Sequence, residues 1–110
     1  RTLPGSLYQE HLGRIIRDSR HAAGWDAPWF VAQVSYHVPG DEASADIREA
    51  QAALWKTGLA LQGPDSDALK GDLRERGGKG VHFSGNGLRI HADRWAERIT
   101  PWLERELGQK

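Results

Sequence analysis

Three segments of this chain carry apolar residues at intervals of three or four, the spacing of one face of an α-helix. In the first, Leu7, His11, Leu12, Ile15 and Ile16 make the stripe, opposite Gln9, Glu10, Arg14, Arg17 and Asp18. Ser6 is its expected N-cap, and Gly24 suits a left-handed C-cap. His11 is expected to pack within the stripe, and His21 lies near the C-terminus, where positive charge is favourable. The second segment places Ile47, Ala50, Gln51, Leu54 and Trp55 along one side, with Ser44 as cap and Asp46 and Glu49 near its positive end. Gln51 is unusual there, because a buried amide must find partners. In the third, Leu88, His91, Ala92, Trp95, Ile99, Trp102, Leu103 and Leu107 form the apolar face behind a Ser84 N-cap. Pro101 removes one ladder bond from this pattern and predicts a kink or a broken last turn.

Between the first two helices, residues 29–36 are nearly continuous in apolar residues, as a parallel strand covered on both faces requires. The shorter run Gly58-Leu59-Ala60-Leu61-Gln62 predicts the next parallel strand. From Gly63 to Gly71 the pattern predicts a weakly structured loop. The highly charged residues 72–80, with Gly77-Gly78, predict a mobile surface loop, since they offer little apolar area to offset the entropy of ordering. The order is therefore α-β-α-β-loop-α, an α/β class with a short parallel sheet. Ligands in such sheets bind outside the carboxyl ends of the strands. That places His37, Asp65 and Asp67 better for function than His11 or His21. His82 lies two residues before a capped helix, where a fold can present a general base; local packing or capping is the alternative role.

Composition narrows the choice. The chain has 110 residues, a single domain at most. Fifteen basic and fifteen acidic residues give a formal net charge of zero, without the basic stripe of a dedicated nucleic-acid binder. No apolar run is long enough to span a membrane. The chain has no cysteine, which excludes disulfides and thiolate metal sites. No nucleotide-binding glycine motif occurs. His82 and His91 lack a third ligand at metal spacing, so neither metal nor cofactor is expected. An opening Arg1 without a signal-peptide pattern suggests a processed or truncated chain.

Val81-His82-Phe83-Ser84, then Gly87-Leu88, His91-Ala92 and Trp95-Ala96, resemble the last conserved block of the SGNH hydrolases. The closest branch is that of the sialate O-acetylesterases and acetylxylan-esterase-like carbohydrate esterases. Trp29-Phe30-Val31-Ala32-Gln33-Val34 and Ile47-Arg48-Glu49-Ala50-Gln51 fit the same branch in the same order, so the resemblance runs from Leu7 to Trp102. It implies the C-terminal part of a three-layer, flavodoxin-like α/β domain that removes acetyl groups from a carbohydrate. It implies His82 as catalytic base and places Arg48 and Gln51 close to the active-site loops, with His37 as a further pocket candidate.

The chain departs from that family in two ways. No Gly-Asp-Ser or Gly-Gln-Ser-Asn block is present. Ser6, Ser44 and Ser84 read as caps, and Ser19, Ser35 and Ser66 are not assigned as nucleophile. The expected partner is therefore the missing N-terminal half of the same domain. The aspartate usually found three residues before the histidine is Lys79 here, so Asp65 or Asp67, or less favourably Glu75, must orient His82 if anything does. Two other classes stay open. One is a carbohydrate-binding module, motivated by five tryptophans of which only Trp25 lies in a plain loop. The other is an interaction module that offers an unpaired sheet edge to another chain.

Overall fold

The computed structural model describes residues 3–108. In chain order it contains α1 (Gly5–Ala23), β1 (Phe30–Gln33), α2 (Ala45–Lys56), β2 (Leu61–Asp65), 3-10 turns at Ser66–Ala68, Gly71–Leu73 and Arg76–Gly78, and α3 (Gly85–Gly108). β1 and β2 pair in parallel across α2, with Phe30 opposite Leu61 and Val31 opposite Gln62. The chain is thus a mixed α/β protein with three helices and a two-stranded parallel sheet.

The alternation of side chains along a strand assigns the faces. Val31 joins Ile16 of α1, Leu54 of α2 and Ala60 in the buried core, with Leu12, Trp29, Trp55 and Leu59 packed against it. Its neighbour Phe30 meets Trp102 of α3 edge to face, 6.0 Å between ring centroids. So α1 and α2 cover one face of the sheet and α3 lies on the other.

The helix ends follow from local chemistry. Ser44 and Ser84 cap α2 and α3 as expected, accepting from the amides of Ile47 at 3.3 Å and Gly87 at 3.1 Å. Gly24 closes α1 in the left-handed region, at φ 79°. Ser6 is not a cap: α1 starts two residues earlier than that cap implies, at Gly5 after Pro4, and the Gly5 amide is satisfied by Asp46 Oδ2 at 2.6 Å. His11 is exposed rather than packed, because the buried side of α1 runs through Gly5, Gly13 and Ile16. α3 continues unbroken through Pro101; the carbonyl that loses its donor belongs to the exposed Glu97, where water can replace it.

Both strands differ from the hydrophobic pattern. β1 stops at Gln33, three residues short of the predicted end. Beyond it, side chains take the place of a neighbouring strand. Gln51 accepts from Val34 N and donates to Val34 O, each at 3.0 Å, and Asp67 accepts from the amides of Ser35 and Tyr36, each at 2.7 Å. β2 begins at Leu61 rather than Gly58, because Gly58, at φ 81°, ends the α2 turn and Leu59 and Ala60 are spent on the core. The charged segment after β2 is not a loose loop. Arg74, only 6 % exposed, pins it by donating to the carbonyls of Leu69, Val81 and Ser66 at 2.6, 2.7 and 3.0 Å. Gly87 lets α3 close on this segment, since any Cβ there would strike the backbone of Leu73.

The packing is open. The radius of gyration is 15.5 Å, against about 13 Å for a compact domain of this length. The accessible surface of 7097 Å² exceeds by roughly 1,000 Å² the value expected for 12.2 kDa. Leu7 and Ile15 on α1 and Leu88, Leu103 and Leu107 on α3 are all exposed.

Candidate functional site

Beyond the carboxyl ends of β1 and β2 lies a cavity of about 450 Å³, lined by Val34, Tyr36, Ser66, Arg74, Val81, His82, Phe83, Leu88 and His91. Val34 and Tyr36 follow the end of β1, and Ser66 follows the end of β2. The segment before α3 supplies Val81, His82 and Phe83, and the first turns of α3 supply Leu88 and His91. Val34, Val81 and Leu88 are exposed by 54, 37 and 59 %, giving the cavity an apolar mouth. Its inner wall is polar and buried: Ser66, Tyr36 and Arg74 are 3, 8 and 6 % exposed.

His82 is exposed and anchored by its backbone, its carbonyl accepting from Glu75 N at 2.9 Å. Among the described residues its ring has no hydrogen-bond partner and no carboxylate. His91, on the same cavity, stands 2.9 Å through Nε2 from the Ser66 hydroxyl and packs on the Phe83 ring, 4.5 Å between centroids. Burial, and secondarily the field of Arg74, hold its imidazole below the ordinary histidine range. At neutral pH the His91 ring is uncharged and can accept the Ser66 proton.

Asp65 and Asp67 do not reach His82. Asp67 is 4 % exposed and fully engaged: besides the two amides it accepts from Ser35 Oγ at 2.6 Å and from Arg48 Nη1 at 2.9 Å. Arg48 also grips Asp65 with two bonds, at 2.7 and 2.9 Å, and donates to Gln33 Oε1 at 3.1 Å. Hydrogen bonding from Arg48 holds the Asp65 carboxyl below its ordinary range, and the same pairing raises the pKa of the guanidinium. Arg48, Asp65 and Asp67 therefore form one ionic cluster that ties the two strand ends together. Gln51 is 2 % exposed, with its amide nitrogen also donating to Tyr8 Oη at 3.1 Å; it is a buried structural amide, not a pocket residue. His37 is exposed, outside the cavity lining, with Nδ1 3.3 Å from Asp41 Oδ2.

Besides His82 the cavity contains four polar residues to which the sequence reading gave no site role: Tyr36, Ser66, Arg74 and His91. The pattern held one clue to His91, its place one turn from Leu88 on the apolar face. Arg74 is one cation in a tract of charges, and nothing in its neighbours marks it as buried. Compared with known protein families, with curated proteins and with solved structures, the chain matches none. Among the described residues no helix is long and apolar enough to cross a membrane, and no cluster of three histidine or carboxylate side chains is placed to hold a metal.

Proposed function

We propose that this chain contributes the general base of a serine-type hydrolase of the SGNH class, acting on acetyl esters of a carbohydrate. The observation that carries the reading is the position of His82. It is an accessible imidazole with no internal partner, at a cavity beyond the carboxyl ends of parallel strands. In acyl transfer such a ring takes the proton of an attacking hydroxyl and returns it to the leaving group. The nucleophile comes from outside these residues. Ser66 is buried and bonded to His91, and Ser35 is buried and bonded to Asp67. The open packing and the exposed apolar flanks of α1 and α3 support a further α/β half that completes the domain.

The test is hydrolysis of p-nitrophenyl acetate by the 110-residue chain and by the full-length gene product. The reading predicts no turnover above free imidazole for the short chain and turnover by the long one that His82→Ala abolishes. His82-dependent turnover by the short chain would mean that a nucleophile lies within it. A second reading, sugar binding without catalysis, is favoured by Trp25, which is 63 % exposed on a cavity of about 560 Å³ with Arg17, Arg20 and His21. Glycan binding by the short chain that is lost in Trp25→Ala would establish it instead.

A further inference from the structure

The least expected residue in the cavity is Arg74. It is nearly buried, its guanidinium stacked 3.9 Å from the centroid of the Tyr36 ring and 4.2 Å from that of Phe83. A guanidinium carries five N–H donors, and the three backbone carbonyls of Leu69, Val81 and Ser66 occupy one each. Among the described residues no carboxylate lies within ion-pair distance of it. Asp67 acts on it only at longer range and is already bonded to Arg48. A buried cation without a direct ion-pair partner is costly. Beside it, the Tyr36 hydroxyl is buried with no hydrogen-bond partner among the described residues, which is also costly. Both groups line the same cavity.

We propose that this cavity binds a small monoanionic carboxylate, with the two remaining Arg74 donors and the Tyr36 hydroxyl as its recognition groups. A planar carboxylate matches the fork of a guanidinium, and hydroxyls readily supply a further donor. A monoanion suits the site better than a dianion such as phosphate, because the neighbouring cluster of Arg48, Asp65 and Asp67 already carries one net negative charge beside the single charge of Arg74. Val34, Val81 and Leu88 at the mouth suit the apolar or ring portion of the same ligand. His91, also on the cavity and held below the ordinary histidine range by burial, adds no charge at neutral pH. The inference rests on the reading of this cavity as a ligand site given above, though not on hydrolysis, so carboxylate binding and ester turnover can fail separately.

The experiment titrates the 110-residue chain with acetate, and with isosteric neutral acetamide, at fixed ionic strength, following the amide and imidazole NMR signals. Acetate is expected to shift Tyr36, Ser66, Arg74 and His91 saturably, with half-saturation at roughly millimolar concentration, the range of a four-heavy-atom ligand. Acetamide is expected to bind at least about tenfold more weakly, the loss of one charged hydrogen-bond set. Saturating acetate also raises the His91 titration midpoint by offsetting the field of Arg74. Tyr36→Phe removes a hydroxyl that bonds nothing in the free protein, so it keeps the fold and weakens acetate by about tenfold. Equal binding of acetate and acetamide, no saturable shift at these residues, or acetate affinity unchanged in Tyr36→Phe would each overturn the proposal.

Discussion

Replacing Asp67 by alanine tests how the chain ends its first strand. The carboxylate is buried and accepts from the amides of Ser35 and Tyr36, from the Ser35 hydroxyl and from Arg48. Alanine removes the carboxylate that accepts from two buried amides and from the Ser35 hydroxyl. Each unmet buried donor costs about 1–3 kcal/mol, less where water can enter. Arg48 keeps Asp65 as a partner, so its charge is not stranded. The sum expected is about 3–5 kcal/mol, a large share of the roughly 5–15 kcal/mol of a typical domain. With a urea slope of about 1.5 kcal/mol per molar, the unfolding midpoint drops by roughly 2–3 M. Asp65→Ala is the internal control. Its carboxylate bonds the same arginine but its side chain is 43 % exposed, so solvent screening limits the loss to about 1 kcal/mol or less. Asp67→Asn, which keeps one oxygen acceptor, falls between the two. Equal midpoint shifts for Asp67→Ala and Asp65→Ala, measured by tryptophan fluorescence, would refute the idea that buried side-chain acceptors replace a neighbouring strand here.

Other substitutions probe separate parts of the account. Gln51→Leu fills the same space but strands the Val34 amide and carbonyl, so chemical denaturation should show a loss of about 2–4 kcal/mol despite the added hydrophobicity. Gly87→Ala improves intrinsic helix propensity by about 1 kcal/mol, yet it should destabilise by at least about 2 kcal/mol in thermal melts, because the methyl group meets the Leu73 backbone. The folded state depresses the pKa of His91 and so favours the neutral ring. Its contribution to stability is complete above about pH 6.5, the unfolded value, and is lost as pH falls through the lower folded value. Urea midpoints measured between pH 7.5 and 5 should carry a decrease that is absent in His91→Gln. The matching loss from Asp65, whose folded pKa is also depressed, lies in the separate window below about pH 4.

Periodicity was a good guide to where the helices lie, because each starts or ends on a recognisable cap, but a poorer guide to burial, since Leu7 and Ile15 of α1 and Leu88, Leu103 and Leu107 of α3 stay exposed. Ser44, Ser84 and Gly24 act as their residue types suggest. The strands were harder to read. The apolar run at residues 29–36 is real, but whether it counts as strand depends on what pairs with its backbone, and Gln51 and Asp67 come from 17 and 32 residues away. His11 shows the same limit from the other side: its spacing fits a packed stripe, but the neighbouring surface of α2 meets a different line of α1. At the site, the loop position of His82 was legible from the cap that follows it. Arg74 was not, since burial of an arginine depends on which carbonyls and rings the folded segment brings around it. Asp65 and Asp67 were correctly placed at a strand end, but no sequence pattern shows that Arg48 claims both.

The most direct test of the account compares the two imidazoles of the cavity in the full-length gene product, by kcat/KM for release of acetate from an acetylated sugar. The account predicts that His82→Ala lowers kcat/KM by roughly 10⁴ or more with no change in folding stability, because its exposed ring bonds nothing. His91→Ala should lower stability but keep turnover within about tenfold under conditions where the variant is folded. Turnover that survives His82→Ala and disappears with His91→Ala would contradict the account and transfer the role of base to the ring bonded to Ser66.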